Sequence, residues 1–174
     1  MPNTLSFPEE NESTEYFKRY INRVPPDEGI QSFLKSQELR GIVFLNSIPD
    51  EKANYRYAEG KWSVKEVLQH IIDTEKIFTY RALALARGEK QALPGYDQDE
   101  YMLGLNIDEV PLSQLVQDFL STRKATVSFF NSIGDEHAAY AGTVSGGNLS
   151  ARACAYIIGG HFEHHEEVLK ERYL

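Results

Sequence analysis

A chain of 174 residues that is 41% hydrophobic and 25% charged has the size and composition of one globular domain. Its formal net charge of −8 disfavours nucleic acid and anionic membranes as partners, because both are usually bound through basic surfaces. The sequence shows no apolar run of about 18 residues and no charged-then-apolar pattern at its start, so we expect neither a membrane span nor a secretory signal. Its one cysteine, Cys154, cannot form an internal disulfide. We therefore expect a cytoplasmic protein.

The first part of the chain predicts an arm followed by two helices. Residues 1–13 are polar and contain two prolines, so we expect a flexible N-terminal arm, with residues 14–174 forming a single domain. Apolar residues at helical spacing predict a short helix over residues 14–22, which a pair of prolines ends. The same spacing predicts a first long helix over residues 27–47, with Asp27 as its N-cap.

The middle of the chain predicts two more long helices. Ser63 and Glu66 form the pattern of a capping box, which predicts the start of a second long helix over residues 64–87. Residues 89–111 contain prolines, a glycine and an acidic run, and predict a long connection with room for one helical turn. A third long helix is predicted over residues 112–133.

The last part predicts a turn-rich segment and a fourth long helix. Residues 135–148 contain several glycines, no strand is predicted, and Asn148 or Ser150 caps the helix that runs to the C-terminus. Four amphipathic helices of this length predict an all-α four-helix bundle. The connection over residues 89–111 is long enough to cross the bundle, so the second and third helices run parallel and the topology is up-down-down-up.

Histidines in two of these helices predict a metal site. His161 and His165 lie one helical turn apart on the same face, and His164 is also a neighbour of His161. In the predicted topology His70 of the second helix lies at a matching height. A lone histidine on an apolar face is more often a core residue, but three at one height favour a divalent metal ion. Three histidines also leave a coordination position open for substrate.

The acidic residues near these histidines have weaker interpretations. Glu163 points away from the His161 face, so the carboxylate base of a metallopeptidase is missing. Asp73 is either an acceptor for a ligand histidine or part of a surface salt bridge. The acidic run that begins at Asp97 predicts a solvated loop, from which Asp97 or Asp99 is a candidate to reach the site.

Other reactive or aromatic residues are expected to be structural. We predict that Cys154 packs in the core and that His137 is solvated. Four aromatic residues are candidates either to line the mouth of the site or, as the more frequent role, to anchor core and loops: Tyr55, Tyr57, Trp62 and Tyr101.

Six short stretches carry a resemblance to a known family. They are Tyr57 to His70 (YAEGKWSVKEVLQH), Asp73-Thr-Glu75 with Tyr80-Arg81-Ala82, Pro94 to Asp99 (PGYDQD), and Gly160 to His165 (GHFEHH) with the C-terminal Glu171 to Leu174. Over about residues 15–174 the chain resembles the DinB-like superfamily of DinB/YfiT-like metalloenzymes. These four-helix bundles include bacillithiol and mycothiol transferases and maleylpyruvate isomerase-like proteins.

The resemblance implies a ligand set. In that family one histidine of the second helix and an H-x-x-x-H pair of the fourth hold the metal, which implies His70, His161 and His165 here. The chain departs from the family by the acidic pair Glu166-Glu167 directly after the histidines, which bears on the polarity of the site's rim. No catalytic residue beyond the ligands is assigned.

The expected activity is thiol transfer at a divalent metal ion. Zinc or nickel is the expected cofactor, with iron or manganese as alternatives, and the substrate is a small molecule that includes a low-molecular-weight thiol. Metal-dependent hydrolysis is the alternative chemistry, and a non-catalytic, stress-linked metal-binding protein is the alternative to an enzyme. Exposed helical faces are compatible with a homodimer.

Overall fold

The computed structural model of this chain describes residues 4–174, and its main feature is a bundle of four long helices. These are α2 (Ile30–Asn46), α3 (Val64–Ala86), α5 (Leu112–Ser132) and α7 (Ala151–Arg172), with shorter helices α1 (Glu15–Ile21), α4 (Gln98–Leu103) and α6 (Asp135–Ala138). Single 3-10 turns lie at Glu10–Glu12, Asp50–Lys52 and Ile107–Glu109. The predicted helical bundle is confirmed, and α4 is the helical turn expected in the long connection.

Side-chain contacts between helices fix their directions. The contacts join Lys76 to Asp118, Thr79 to Thr126, Gln37 to Arg123, Gln31 to Phe130, His70 to His161, and Trp62 to Tyr173. Along α3 and α5 the residue numbers of the contacting pairs increase together, so these two helices run parallel. In the pairs that join α2 to α5 and α3 to α7, one residue number increases as the other decreases, so these helices run antiparallel. The up-down-down-up topology is therefore confirmed, with the α3 to α5 connection crossing the bundle.

Capping residues set where the long helices begin. Ser63 accepts a hydrogen bond from the Glu66 N–H and donates its own N–H to the Glu66 carboxylate, so the predicted capping box at α3 is present. Ser150 caps α7, which decides between the two predicted candidates. The prediction for α2 was wrong: the chain still turns at Asp27, and the helix begins after Gly29.

A short hairpin occupies part of the segment in which no strand was predicted. Strands β1 (Ala141–Val144) and β2 (Gly147–Ser150) pair antiparallel. Ser145 and Gly146 connect them with φ angles of 52° and 80°, as a two-residue hairpin turn requires. Leu93 of the crossover forms an isolated bridge beside β1, so the hairpin anchors the long connection against the bundle.

The N-terminal segment contacts the bundle from residue 4 onward. Leu5 is 1% exposed, and Glu12 is buried in an ion pair with Arg152 of α7. The first residues of the predicted arm, 1–3, lie outside the described residues. Flexibility of the arm and a domain boundary at residue 14 stay predictions.

The bundle has an apolar interior. Two clusters of buried apolar side chains fill it, one toward each end. Within residues 4–174, none of the helices combines the length and apolar character that a membrane crossing needs.

Candidate metal centre

Three histidine side chains meet between α3 and α7. The Nε2 atom of His161 lies 3.0 Å from Nε2 of His70 and 3.1 Å from Nε2 of His165. One nitrogen from each ring lies within 4.8 Å of the other two. The structure thus brings together the three residues that the sequence singled out.

Helix geometry explains why His165 and not His164 joins the cluster. His161 and His165 are four residues apart in α7, with ring centroids 4.4 Å apart. The His164 ring is turned toward Tyr20 of α1, 5.8 Å between centroids. The i+3 alternative left open by spacing is therefore decided in favour of His165, whose Nε2 lies 3.1 Å from that of His161.

Burial keeps these rings neutral. Desolvation lowers the pKa of His70 to about 4, with a further small effect of His164. The pKa values of His161 and His165 lie well below the usual range, first because of burial and then because of the neighbouring imidazoles. Neutral imidazole is the form that binds a metal ion, so the site is ready for a cation near neutral pH.

The spacing of the nitrogens fits a metal ion. Two nitrogens bound at 2.0–2.1 Å to a tetrahedral ion lie about 3.3 Å apart, close to the two separations that involve His161 Nε2, while the nitrogens of His70 and His165 lie within 4.8 Å of each other. Side chains of residues 4–174 place no carboxylate or thiolate in this cluster, so it supplies three nitrogen donors. Such a donor set suits zinc, nickel, copper or iron better than magnesium or calcium.

Neighbouring side chains hold His70 in place. The hydroxyl of Thr74 lies 3.5 Å from His70 Nδ1 and 2.7 Å from the Tyr96 hydroxyl. The Trp62 ring packs on His70 with 4.8 Å between centroids. Asp73 takes neither of its two predicted roles: it accepts a hydrogen bond of 2.8 Å from Gln69.

Helix α1 covers the site because of a glycine in α7. A Cβ atom at Gly160 would overlap the main-chain carbonyl of Tyr20, so only glycine lets α1 approach this closely. The approach places the Tyr20 ring 5.2 Å from the His161 ring. The sequence pattern predicts no role for Tyr20 at the metal site. The signal that could have found it is the pair Gly159-Gly160 directly before His161, because adjacent glycines in a helix allow another backbone to approach closely.

A cavity of about 500 Å³ opens on the histidine cluster. Helices α1 and α3, the crossover and the hairpin turn line it, with His70, His161, Thr74, Arg81, Tyr96 and Asp99 among the contributing residues. A second cavity of about 350 Å³ lies on the His165 side and shares Gln98 and Asp99 with the first. The volume suits a small organic molecule.

The remaining candidate residues fall mostly into structural roles. Tyr55 and Tyr57 pack edge-on against Tyr173, 6.2 and 5.0 Å between centroids, and Tyr57 with Trp62 also lines the smaller cavity. Tyr101 packs on Tyr96. Asp97 and Asp99 both border the larger cavity, although Asp97 caps α4.

Three predictions about unreactive residues are in agreement with the structure. Cys154 is fully buried, and burial raises its thiol pKa to about 12. His137 is exposed beside Tyr140. Glu163 binds Gln37 and Arg40 of α2 and so points away from the histidine cluster, as predicted.

Glu166 and Glu167, the acidic pair after the histidines, line neither of the two cavities beside the histidine cluster. Glu166 is buried between Arg40 and Lys170, and Glu167 pairs with Arg23 at 2.8 Å. Their charges are therefore balanced by neighbouring cations.

Comparisons with known proteins find similarity to one family and to a curated protein. The family model described as the DinB superfamily matches residues 38–169. A curated protein of Oceanobacillus iheyensis named "Putative metal-dependent hydrolase OB0413" is 32% identical over 60 residues, which are 34% of this chain and 34% of that protein. The aligned region thus spans about a third of that relative's length.

A solved structure shares the fold. YfiT from Bacillus subtilis, described as "a probable metal-dependent hydrolase with an unusual four-helix bundle topology", superposes with a TM-score of 0.69 at 15% identity. The match covers 96% of this chain and 91% of YfiT. The similarity therefore extends over the whole bundle.

Proposed function

Since this chain belongs to the DinB superfamily, we propose that it is a metal-dependent enzyme acting on a small molecule, with His70, His161 and His165 as the metal ligands. The observation that carries the proposal is the convergence of three neutral imidazoles beside a cavity, with His70 and His161 buried and His165 half-buried. The names of the Oceanobacillus and Bacillus proteins support a metal-dependent activity.

His70, His161 and His165 would hold the ion, and the chemistry it would supply is a lower pKa for a thiol or water that binds to it, so that thiolate or hydroxide would be available as the nucleophile near neutral pH. Zinc or nickel is the proposed metal, because the donor set is entirely imidazole nitrogen.

The protein's own residues orient the ligands and exclude water. Thr74 lies within hydrogen-bond reach of Nδ1 of His70, which fixes the ring with Nε2 toward the cluster. The rings of Trp62 and Tyr20 cover two sides of the histidines, which keeps the site poorly hydrated. The cavity bordered by Tyr96 and Asp99 is left as the path for substrate.

Thiol transfer is the proposed reaction. Glu163, the carboxylate nearest in sequence to His161 in α7, is bound to Gln37 and Arg40 of α2, so it is not placed to activate water at the histidine cluster. A thiol needs less help, since its unperturbed pKa is already about 8.5. The thiolate sulfur forms a bond to an electrophilic carbon of the second substrate, and the leaving group departs with the electron pair.

Metal-dependent hydrolysis is the second candidate. It is favoured by the names of both relatives and by Asp99, a carboxylate that borders both cavities near the histidines. In that case water takes the place of the thiol. A cytoplasmic location and a homodimer stay predictions.

Elemental analysis and mass spectrometry test the proposal. We expect one divalent ion per chain in the purified protein, an increase in melting temperature when zinc or nickel is added to the metal-free protein, and loss of both in His161→Ala. His137→Ala, an exposed histidine, is the matched control. Absence of metal binding in the wild type contradicts both enzymatic functions.

Product analysis then separates the two reactions. The metal-loaded protein is incubated with a cysteine-based thiol and a chloroaromatic electrophile, and separately with an activated ester. Thioether formation that depends on His161 supports transfer, and ester cleavage that depends on His161 supports hydrolysis. If metal binds and neither product forms, the non-catalytic metal-binding protein becomes the better description.

A further inference from the structure

Arg81 is a buried cation without a carboxylate partner in the wall of the larger cavity. Its side chain is 3% exposed, yet among residues 4–174 no carboxylate oxygen lies within 4.0 Å of its guanidinium. One of its nitrogens, Nη2, donates to the carbonyl oxygen of Pro94 at 2.8 Å and to Ser145 Oγ at 3.2 Å. The other hydrogen-bond donors of the guanidinium have no partner among the residues that the structure describes.

The other two buried arginines, Arg123 and Arg152, each have a carboxylate partner. Arg123 is bound by the Glu75 carboxylate through two hydrogen bonds of 2.8 Å, and Arg152 is paired with Glu12. Burying a cation without an opposite charge is costly, and it is usually compensated by a partner. Burial accordingly lowers the pKa of the Arg81 guanidinium, with no carboxylate raising it.

Arg81 and the histidine cluster lie on one face of α3. Residues 70 and 81 are eleven positions apart, which corresponds to about 20° of rotation and about 16 Å along the helix axis. Thr74 and Phe78 lie between them on the same face, and all four residues line the cavity. A ligand that extends along this face therefore meets the histidines at one end and the guanidinium at the other.

Acidic residues of the cavity do not neutralise Arg81. The side chain of Asp97 accepts hydrogen bonds from the N–H groups of Asp99 and Glu100 as the cap of α4. Asp99 is exposed at the rim. Both aromatic rings near the guanidinium, Phe78 and Tyr96, contribute only cation–π contacts, with centroids at 4.8 and 5.7 Å.

We infer that Arg81 binds an anionic oxygen group of the substrate, a carboxylate or a phosphate, while the reacting end of the same molecule lies at the histidine cluster. A forked guanidinium binds such groups through two parallel hydrogen bonds. The inference deepens the proposed function and rests on it for what happens at the reacting end. The substrate class is thus a small, extended anion.

The first experiment uses the cobalt-loaded protein and thiols as probes. Binding of 8-mercaptooctanoate and of uncharged 8-mercapto-1-octanol is followed by thiolate-to-cobalt charge-transfer absorption, in the wild type, Arg81→Gln, Arg81→Lys and Arg87→Gln. Arg87 is an exposed arginine that follows the same helix and provides the control. Circular dichroism checks that each variant is folded.

We expect the wild type and Arg87→Gln to bind the carboxylate about tenfold or more tightly than the alcohol. In Arg81→Gln this ratio falls to about one, because only carboxylate binding weakens, and Arg81→Lys retains part of the preference. Equal affinities for carboxylate and alcohol in the wild type overturn the inference while leaving the metal site intact. If Arg81→Gln retains the wild-type ratio, the inference is also overturned.

A second experiment decides the matter without a metal. Binding of sodium octanoate to the metal-free protein is measured by calorimetry in the wild type and in the same variants. Saturable binding that Arg81→Gln abolishes supports the anion site even if cobalt binding, and with it the proposed function, fails. No binding to the wild type, or equal binding to Arg81→Gln, overturns the site.

Discussion

His70 and His161 are 91 residues apart in the chain, and their Nε2 atoms lie 3.0 Å apart in the folded protein. The short distance exists only because α3 and α7 pack antiparallel, with Trp62 at one helix start hydrogen-bonded to Tyr173 at the other helix end. The histidine cluster is therefore assembled by the bundle, and we expect metal binding and folding to be coupled.

The adjacent histidines of α7 are predicted to differ sharply in metal binding. His165→Ala removes a nitrogen from the cluster, so we expect zinc affinity to fall at least a hundredfold. His164→Ala changes a ring that contacts Tyr20, and we expect less than a threefold change. Competition titrations with a zinc indicator measure both. Equal losses in the two variants would contradict the assignment of His165.

Stability of the metal-free protein is predicted to fall as the pH falls below 6.5. The pKa of His70 is lowered from 6.5 to about 4 in the folded protein, so between these values the unfolded chain binds more protons and is favoured. His70 alone contributes a loss of about 2 kcal/mol between pH 7 and pH 5. His161 and His165 act in the same direction.

Urea unfolding in the presence of a chelator, at pH 7 and pH 5, measures this loss. His70→Gln reduces the pH dependence, and His137→Gln, at an exposed site, is the control variant. A metal-free protein that is equally stable at both pH values would show that the histidines are not buried in the neutral form.

The long helices and the histidine cluster could be predicted because both depend on periodicity. Apolar residues every three or four positions fix the inward face of each helix, and histidines on that face must meet if the topology is right. The Ser63 and Glu66 pair located the start of α3 correctly, since a capping box is a local interaction.

Features that depend on tertiary contacts could not be predicted. The strands flanking Ser145 and Gly146 are four residues each, too short for a clear alternation, and they form against the crossover. A charged residue within a helix usually faces water, so Arg81 carried no indication of burial. The one sequence feature that relates Arg81 to the cavity is its spacing of eleven residues from His70, which places both residues on the same face of α3.

Gly160 is predicted to control the position of α1. In Gly160→Ala the new Cβ atom meets the carbonyl of Tyr20, and α1 must move away from α7. We expect a loss of about 1–3 kcal/mol in the free energy of unfolding, as for other overpacked sites. Hydrogen exchange of the α1 amides should rise, while zinc affinity changes much less than in His161→Ala.

A matched substitution tests whether the contact of the new Cβ atom with Tyr20, and not the loss of a glycine as such, displaces α1. Gly146→Ala places a Cβ atom in open space, although at a φ of 80°, so its cost comes from the backbone alone and leaves α1 exchange unchanged. Unchanged α1 exchange in Gly160→Ala would show that α1 tolerates the extra methyl group.

The buried pair of Glu75 and Arg123 is predicted to matter far more than a similar pair on the surface. Both side chains are at most 2% exposed, and Arg123 also donates a hydrogen bond of 2.7 Å to Gln37. Arg123→Met leaves the Glu75 carboxylate buried without a counter-charge, so we expect a loss of about 3–5 kcal/mol. Lys76→Met breaks a half-exposed pair with Asp118 and should cost less than about 1 kcal/mol.

Removing both partners separates the value of the pair from the penalty of an isolated charge. In the double variant Glu75→Leu with Arg123→Met no buried charge is left, and we expect most of the lost stability to return, with the Gln37 contact accounting for the rest. Urea unfolding at pH 7 in the presence of a chelator gives the free energies of unfolding of the wild type, Arg123→Met, Lys76→Met and the double variant. A double variant as unstable as Arg123→Met would mean that shape and packing at this position, and not the uncompensated carboxylate, dominate the cost.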